Sequence, residues 1–235
     1  MKEKLAIIMP VYNEEEAIGN VLEKWIKMLD TLHVEYHIHA YNDGSKDKSL
    51  QVLTEFAKRY PQIHVHDKKN SGHGPTILQG YCENQNTYTW LFQMDSDDEM
   101  GPESFPALWE RREQYDFLIG IRDGRQQPFS RRIVSFGSRL CIHALFGRAI
   151  WDVNCPYRLM RSEKLIPIWQ RIPSDTFVTN LLVSGMVARS KLRVFECPVS
   201  HENRKTGTVS IKKWKLFKAA VRSFRQTILF ALTSR

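Results

Sequence analysis

Four carboxylates fall within five consecutive residues at Asp95-Ser-Asp97-Asp98-Glu99. Crowded in this way they repel, each raising its neighbours' pKa, unless a cation lies among them. Mg²⁺ or Mn²⁺ suits such a run, because hard divalent ions prefer carboxylate oxygen and share their coordination with substrate phosphates. An EF-hand loop does not fit, since its sixth position would be Met100 rather than Gly and its twelfth Pro106 rather than Glu. Asn70-Ser-Gly-His-Gly74 lacks the third Gly of a dinucleotide fingerprint and the Gly-Lys-Ser/Thr of a P-loop. A second group is basic: Arg122, Arg125, Arg131 and Arg132 crowd together, with Asp123 the one acid among them. Guanidinium groups at this density suit a phosphate, which they can hold bidentately.

These groups need elements to bring them together. Residues 5–9 read as a buried strand, and Ile18, Val21, Leu22, Trp25 and Leu29 recur at helical spacing through 14–29. Residues 36–41 form a second expected strand, followed by a helix carrying Leu50, Leu53 and Phe56. Strands at 63–65, 88–93 and 117–121 alternate with helices at 75–82 and 103–113. This alternation predicts βαβ units and a mainly parallel sheet with right-handed crossovers. The second half is less regular, with helices expected at 133–146 and 175–184 and strands at 157–160 and 192–197. Ligands of open α/β sheets bind beyond the carboxyl ends of the strands. Pro10-Val-Tyr-Asn-Glu14, Asn42-Asp-Gly-Ser45 and Asp95-Ser-Asp97 each follow such a strand. Asn13, Asp43 or Asp95 alone could cap a helix; three clusters at successive strand ends favour one shared crevice.

Composition narrows the class. A chain of 235 residues, 42% hydrophobic and 11% aromatic, can bury a large core, which excludes disorder as its main state. Cys82, Cys141, Cys155 and Cys197 form no CxxC pair, so neither a zinc ribbon nor a disulfide framework is expected. The opening residues do not read as a signal peptide, and a cytoplasmic location is the expectation. Residues 1–118 hold 12 Lys/Arg against 20 Asp/Glu, whereas 119–235 hold 22 against 6. An acidic half that holds a cation and a basic half that faces an anion would explain this contrast. The basic half carries no recognised nucleic-acid module or aromatic stacking signature, so nucleic acid is not an expected partner. His37 with His39, and His64 with His66, alternate on expected strands; without an HExxH they read as sheet-face residues.

Together, Ile8-Met-Pro-Val-Tyr-Asn-Glu-Glu15, Asn42-Asp-Gly-Ser-Lys-Asp47, Asn70-Ser-Gly-His-Gly74 and Met94-Asp-Ser-Asp97 resemble glycosyltransferase family 2 enzymes of the GT-A fold. Asp152-Val-Asn-Cys-Pro-Tyr-Arg-Leu-Met160 and Ser200-His-Glu-Asn-Arg-Lys-Thr-Gly207 are similar to segments of the dolichyl- or polyprenyl-phosphate sugar synthases in that family. The resemblance covers about residues 5–210. It implies a Rossmann-like, mainly parallel sheet flanked by helices. It also implies that Pro10, Tyr12, Glu14, Asp43, Asp95, Ser96 and Arg204 contact the nucleotide-sugar donor. Asp95 and Asp97, with Glu99 beside them, would order Mg²⁺ or Mn²⁺ on its diphosphate. Arg122 and Arg131 match arginines that grip an acceptor phosphate. Asp97 and Asp152 would be catalytic, Asp152 as base or orienting group, although a buried partner for Arg158 or another arginine is an equal reading. The sequence departs from the family at Asn42, where Asp is usual, at Glu99, where Gln or His is usual, and at Pro156-Tyr157, which replaces Gly-Phe.

The function so implied is inverting transfer of a sugar from a nucleotide sugar to a polyprenyl phosphate, within cell-envelope glycan biosynthesis. A glycan hydroxyl could be the acceptor instead, and a non-catalytic nucleotide- or lipid-binding relative is a reading of another class. The intact Asp95/Asp97 pair favours an enzyme. The expected organisation is one domain over 1–210, with a donor and metal lobe at 1–118 and an acceptor lobe at 119–210. A basic amphipathic helix is expected over 211–235. In it Ile211, Trp214, Phe217, Val221, Phe224 and Ile228 form one apolar face, with Lys212, Lys215, Lys218, Arg222 and Arg225 largely off it. Such a helix suits the surface of an anionic membrane, and hence a peripheral site on the cytoplasmic membrane face. Packing on the core or in a homo-oligomer seam is the alternative.

Overall fold

Strand β1 (Lys4–Val11) is apolar on both faces and buried along almost its whole length, as a central strand covered by helices must be. The computed structural model describes residues 3–123, 129–147, 150–201 and 213–233, with side chains at 123, 129–135, 138 and 213–220 left aside. After β1 come α1 (Ile18–Leu29), β2 (Glu35–Asp43), α2 (Ser49–Arg59), β3 (Ile63–Lys68), α3 (His73–Asn84) and β4 (Trp90–Gln93). The chain continues through α4 (Phe105–Arg111), β5 (Phe117–Asp123), α5 (Phe129–Phe146), β6 (Arg158–Arg161) and α6 (Ser162–Trp169). It ends with α7 (Thr179–Arg189), β7 (Val194–Ser200) and α8 (Lys213–Thr233).

The seven strands form one sheet in the order β3-β2-β1-β4-β6-β5-β7. β6 runs antiparallel to β4 and β5, while the β1–β2, β1–β4, β2–β3 and β5–β7 pairs are parallel. All strands except β6 therefore end at the same edge, and the expected α/β class and mainly parallel sheet are observed. Helices cover both faces. On one, Phe92 of β4 packs against Trp25 of α1 at 5.3 Å and against Phe105 of α4 at 4.6 Å, centroid to centroid. Tyr157 closes this cluster at 4.8 Å from Phe92. On the other face Tyr81 of α3 stacks on Trp169 of α6 at 5.1 Å and donates its hydroxyl hydrogen bond to Gln93. Each such buried aromatic contributes about 1.5–3 kcal/mol. Gly80 lets α3 lie directly on β1, because a Cβ there would collide with Ile8.

Several elements differ from the sequence reading: α1 begins at Ile18 rather than 14, and α5 at Phe129 rather than 133. Helix α6 lies in a stretch to which the sequence reading assigns no element, and it carries Pro167 inside it. A helix of two turns tolerates it while burying Leu165, Ile168 and Trp169. Helix α7 starts at Thr179 rather than near 175, and the Thr179 hydroxyl is spent on the Gly74 carbonyl at 2.7 Å. In α8 the supposed single apolar face divides. Phe224 turns toward Gly137 of α5, while Val221 and Ile228 stay exposed. Ile211 and the side chains of Trp214 and Phe217 lie outside the described residues.

Candidate active site

The loops leaving β1 and β2 are laced together. Asn13, in the left-handed region at φ 55°, donates its amide to Ser45 Oγ at 3.1 Å and accepts the Lys46 amide on Oδ1 at 2.7 Å. Glu14 donates its amide to Ser49 Oγ at 2.8 Å, and the Lys48 amide reaches Glu15 Oε2 at 2.8 Å. Neither Asn13 nor Asp43 nor Asp95 caps a helix: α1 follows Ala17, α2 follows Lys48, and neither start has a side-chain cap. A cavity of about 370 Å³ opens at this carboxyl edge, lined by Pro10 and Val11 of β1, by Tyr12 and Glu14 just after it, and by Asp43 of β2. Asn70, Gly72 and His73 close it at the start of α3, and Asp95, Ser96 and Asp97 close it beyond β4. Six donor residues expected from the sequence, Pro10, Tyr12, Glu14, Asp43, Asp95 and Ser96, thus meet in one cavity, as does Asp97. The seventh, Arg204, lies outside the described residues.

The acidic run divides its work. Asp98 leaves the cavity to pair with Lys24 of α1 at 2.7 Å and to accept from Asn20 at 2.9 Å. Glu99 is not among the lining residues; its Oε2 lies 3.0 Å from His201 Nε2. That leaves Asp95 and Asp97 on the cavity. Asp95 Oδ1 is buried without a hydrogen bond, with His73 Nε2 3.6 Å away. An orphaned carboxylate oxygen beside a second carboxylate is the donor set of a hard divalent cation. Among the described residues no group of three His, Cys, Asp or Glu gathers as a complete metal cage. A site of one or two carboxylates finished by substrate phosphate oxygens fits both facts.

Asp43 lines the cavity but is already bound. Its Oδ1 receives Lys68 Nζ at 2.5 Å and the Ser71 amide at 2.8 Å, and its Oδ2 receives the Gly72 amide at 2.9 Å. Burial pushes this carboxyl up, but the Lys68 bond and the two amides outweigh burial and hold it below its ordinary value. Gly72, at φ 92°, presents its amide in a backbone conformation that side chains rarely adopt.

At the end of β5, Arg122 donates Nε to Asp152 Oδ2 and Nη2 to Oδ1, both at 2.7 Å. Of the roles the sequence offers Asp152, partnership with an arginine is the one seen here, and that arginine is Arg122. Burial works against the Arg122 charge, yet Asp152 more than offsets it and its pKa is raised; Asp95 lies within electrostatic reach. Arg158, the other arginine weighed for Asp152, is fully buried and instead donates to the Cys155 carbonyl at 2.9 Å and the Asn180 carbonyl at 3.1 Å. Arg131 lies on α5, but its side chain, like Arg125 as a whole, is outside the described residues. Lys68, His73 and Glu196 were given no role by the sequence. Lys68 and Glu196 stand in no motif, and only His73 carried a signal, within Asn70-Ser-Gly-His-Gly74.

A carboxylate-lined cavity across the carboxyl edge of a sheet with one reversed strand is the architecture of GT-A glycosyltransferases. Glucosyl-3-phosphoglycerate synthase from Mycobacterium tuberculosis, solved with Mn²⁺, UDP and glucosyl-3-phosphoglycerate, superposes with a TM-score of 0.71 at 12% identity, over 97% of this chain and 80% of that one. Staphylococcus aureus TarS 1–349 with UDP gives 0.57 at 18% identity, over 97% and 66%. The chain belongs to glycosyltransferase family 2, whose family model, "Glycosyl transferase family 2", matches residues 6–185. It is 29% identical over 206 residues to the undecaprenyl-phosphate 4-deoxy-4-formamido-L-arabinose transferase of Edwardsiella ictaluri (strain 93-146), covering 86% of this chain and 61% of that protein. The protein of that name from Proteus mirabilis (strain HI4320) is 30% identical, with 87% and 61% covered. The chain thus spans about three-fifths of the length of these relatives.

Proposed function

We propose that this chain transfers a sugar from a nucleoside-diphosphate sugar to the phosphate of a polyprenyl lipid, with inversion at the anomeric carbon. The observation that carries the proposal is the adjacency of two unlike ends in one site. Asp95 and Asp97 line a cavity at the ends of β1, β2 and β4, and Arg122, forked onto Asp152 at the end of β5, lies within electrostatic reach of Asp95. The relatives' names, which specify undecaprenyl phosphate, support the acceptor class. Pro10, Tyr12, Glu14, Asp43 and Ser96 enclose the nucleotide, joined by Arg204. Asp95 and Asp97 hold Mg²⁺ or Mn²⁺, which when bound neutralises charge on the departing diphosphate. Arg122 and Arg131 orient the acceptor.

The chemistry is a single displacement. A phosphate oxygen of the acceptor forms the new bond to the anomeric carbon, and the carbon–oxygen bond to the nucleoside diphosphate breaks. The electron pair of that bond leaves with the diphosphate. A phosphate monoester near neutral pH already carries about −1.5 to −2 charge, so it needs positioning more than deprotonation. No helix of the described residues is long and apolar enough to cross a membrane. We propose peripheral contact with an anionic cytoplasmic membrane surface, through α5 and α8, as the way this enzyme meets a lipid acceptor.

The test is a thermal-shift panel of UDP-, GDP- and other nucleotide sugars with Mn²⁺, followed by transfer assays on polyprenyl phosphate. One donor should stabilise the protein in a metal-dependent way and yield an acid-labile lipid-phosphate sugar of inverted configuration. Transfer to a glycan hydroxyl but not to the lipid would replace the acceptor assignment. Metal-dependent binding without any transfer would favour the non-catalytic reading.

A further inference from the structure

We infer that Asp152 is a positioning residue, which holds Arg122 on the acceptor phosphate, and is not the base of the reaction. The inference rests on the polyprenyl-phosphate reading. Both Asp152 oxygens are engaged by one guanidinium in a two-pronged fork, at 2.7 Å on each side. The two side chains are only 11% and 19% exposed, so water does little to loosen them. A base must offer an oxygen to the proton it removes, and here that proton would have to displace the guanidinium. A phosphate acceptor has no proton that must be taken. It needs fixed donors, and the fork commits two of the five guanidinium N–H groups while setting the plane of the others.

Asp152 is itself braced from three elements. Glu196 of β7 accepts the Trp151 amide at 2.6 Å, so the residue before Asp152 is pinned. Ser184 of α7 donates to the Val153 carbonyl at 2.9 Å. Arg158 of β6 binds the Cys155 carbonyl through Nε at 2.9 Å, and the Cys155 amide closes the turn on the Asp152 carbonyl at 3.0 Å. Arg158 spends a fully buried charge on backbone carbonyls, which serves geometry rather than proton transfer. Supports of this kind place a carboxylate to within a fraction of an ångström, as an orienting group requires.

The test is a double-mutant cycle on the full chain, using polyprenyl phosphate and the donor that the panel identifies. R122A and D152A should each raise the acceptor KM about tenfold or more while changing kcat by less than about threefold. The double variant should be no worse than R122A to within about twofold, because the second change removes a support already lost. D152N, which keeps an oxygen for the guanidinium, should recover much of the D152A loss. The opposite pattern overturns the inference: D152A and D152N both lowering kcat by about a hundredfold at saturating acceptor, and multiplying with R122A. Binding of farnesyl phosphate, measured by calorimetry without donor, should repeat the cycle with no turnover; unchanged affinity in D152A would also overturn it. If R122A does not fold, R122K keeps the charge without the fork and should show the same KM loss. A wild-type enzyme that glycosylates no prenyl phosphate removes the function reading first, and is recognised before any variant is compared.

Discussion

A side chain can line a ligand cavity while its oxygens are already committed within the fold, and Asp43 illustrates this. Asp43 has three strong donors on it, from Lys68, Ser71 and Gly72, and its side chain is only 5% exposed. Its main task is therefore to fix the 70–74 loop that forms one wall. Breaking a buried pair strands the partner charge, so Asp43→Ala should cost about 3 kcal/mol in urea unfolding, with donor affinity falling as a consequence. An unchanged midpoint would contradict the assignment. Asp97 also lines the cavity, and in the proposed function its carboxylate meets a metal-bound diphosphate, so Asp97→Ala is expected to act on ligand binding. Mn²⁺-dependent stabilisation by the nucleotide sugar and turnover should be lost in this variant. Metal-independent turnover in this variant would sink the role. The sequence could bring Asp95 and Asp97 to the cavity because their type and their place after a strand carried the signal. It could not divide the acidic run, since Asp98 finds Lys24 and Glu99 finds His201 only once the chain has folded. The sequence offers an arginine as partner for Asp152 but cannot choose Arg122 over Arg158, because the choice depends on how residues 30 apart in the chain are brought together.

At the scale of elements, β2 and β3 were legible as strands, but the consequence of pairing them was not. Their parallel register sets His39 beside His64 and Tyr41 beside His66. A ladder of rings results: His37 lies 5.0 Å from His64, and His39 lies 4.9 Å from His64 and 5.3 Å from His66. His39 Nδ1 is 3.0 Å from His66 Nε2, and His39 Nε2 is 3.0 Å from the Tyr88 hydroxyl. Each contact needs one proton, so neutral rings satisfy the ladder. Burial, with the neighbouring His66, His64 and His37 adding to it, lowers His39 to about 3. Burial likewise lowers His37, with His64 and Lys4 adding to it and Glu35 opposing, and it lowers His66 against Glu83. Groups depressed in the folded state bind fewer protons there than in the unfolded chain. Their stabilisation is full above about pH 6.5 and falls as the pH drops below it. His39 alone should remove about 1.4 kcal/mol per pH unit below that point, or roughly 2 kcal/mol by pH 5. Urea midpoints at pH 7 and pH 5 measure this in a window above the carboxylate titrations. His39→Leu should flatten the slope, and a wild-type protein equally stable at both pH values would refute the neutral ladder. Strand alternation put each pair on one face, but only register shows that the two pairs interlock. The reversed β6 was illegible for a related reason, since a four-residue strand carries no sign of its direction.

At the scale of the whole molecule, the charge contrast and the C-terminal helix bear on the same question of where the proposed lipid acceptor would be met. Helix α8 buries Thr227, Phe230 and Ala231, and Phe230 lies 6.4 Å from Phe146 of α5. The Arg189 guanidinium bridges the two helices through the Leu145 and Ala231 carbonyls at 2.9 and 3.3 Å. Packing on the core, offered by the sequence as the alternative to a membrane, is thus real for one side of α8. It does not use up the helix. Val221, Ile228, Leu229 and Leu232 stay exposed, as do Phe136 and Leu140 on α5. Apolar residues on both sides of a surface helix are unusual in water alone. Cations accompany them: Arg139 stands 4.0 Å over the ring of exposed Trp151, the residue before Asp152, and Arg222 and Arg225 lie on α8 itself. Apolar side chains with nearby arginines match an anionic bilayer surface, where each cation adds about 1 kcal/mol. The protein should therefore pellet with anionic vesicles at low ionic strength, pellet less as salt screens the arginines, and pellet little with neutral vesicles. Leu229→Glu with Leu232→Glu should weaken binding while leaving the unfolding midpoint nearly unchanged, because both side chains already face solvent. A gain in mass to a dimer that these substitutions abolish, with no pelleting at low salt, would assign the exposed stripe to a second copy of the chain instead.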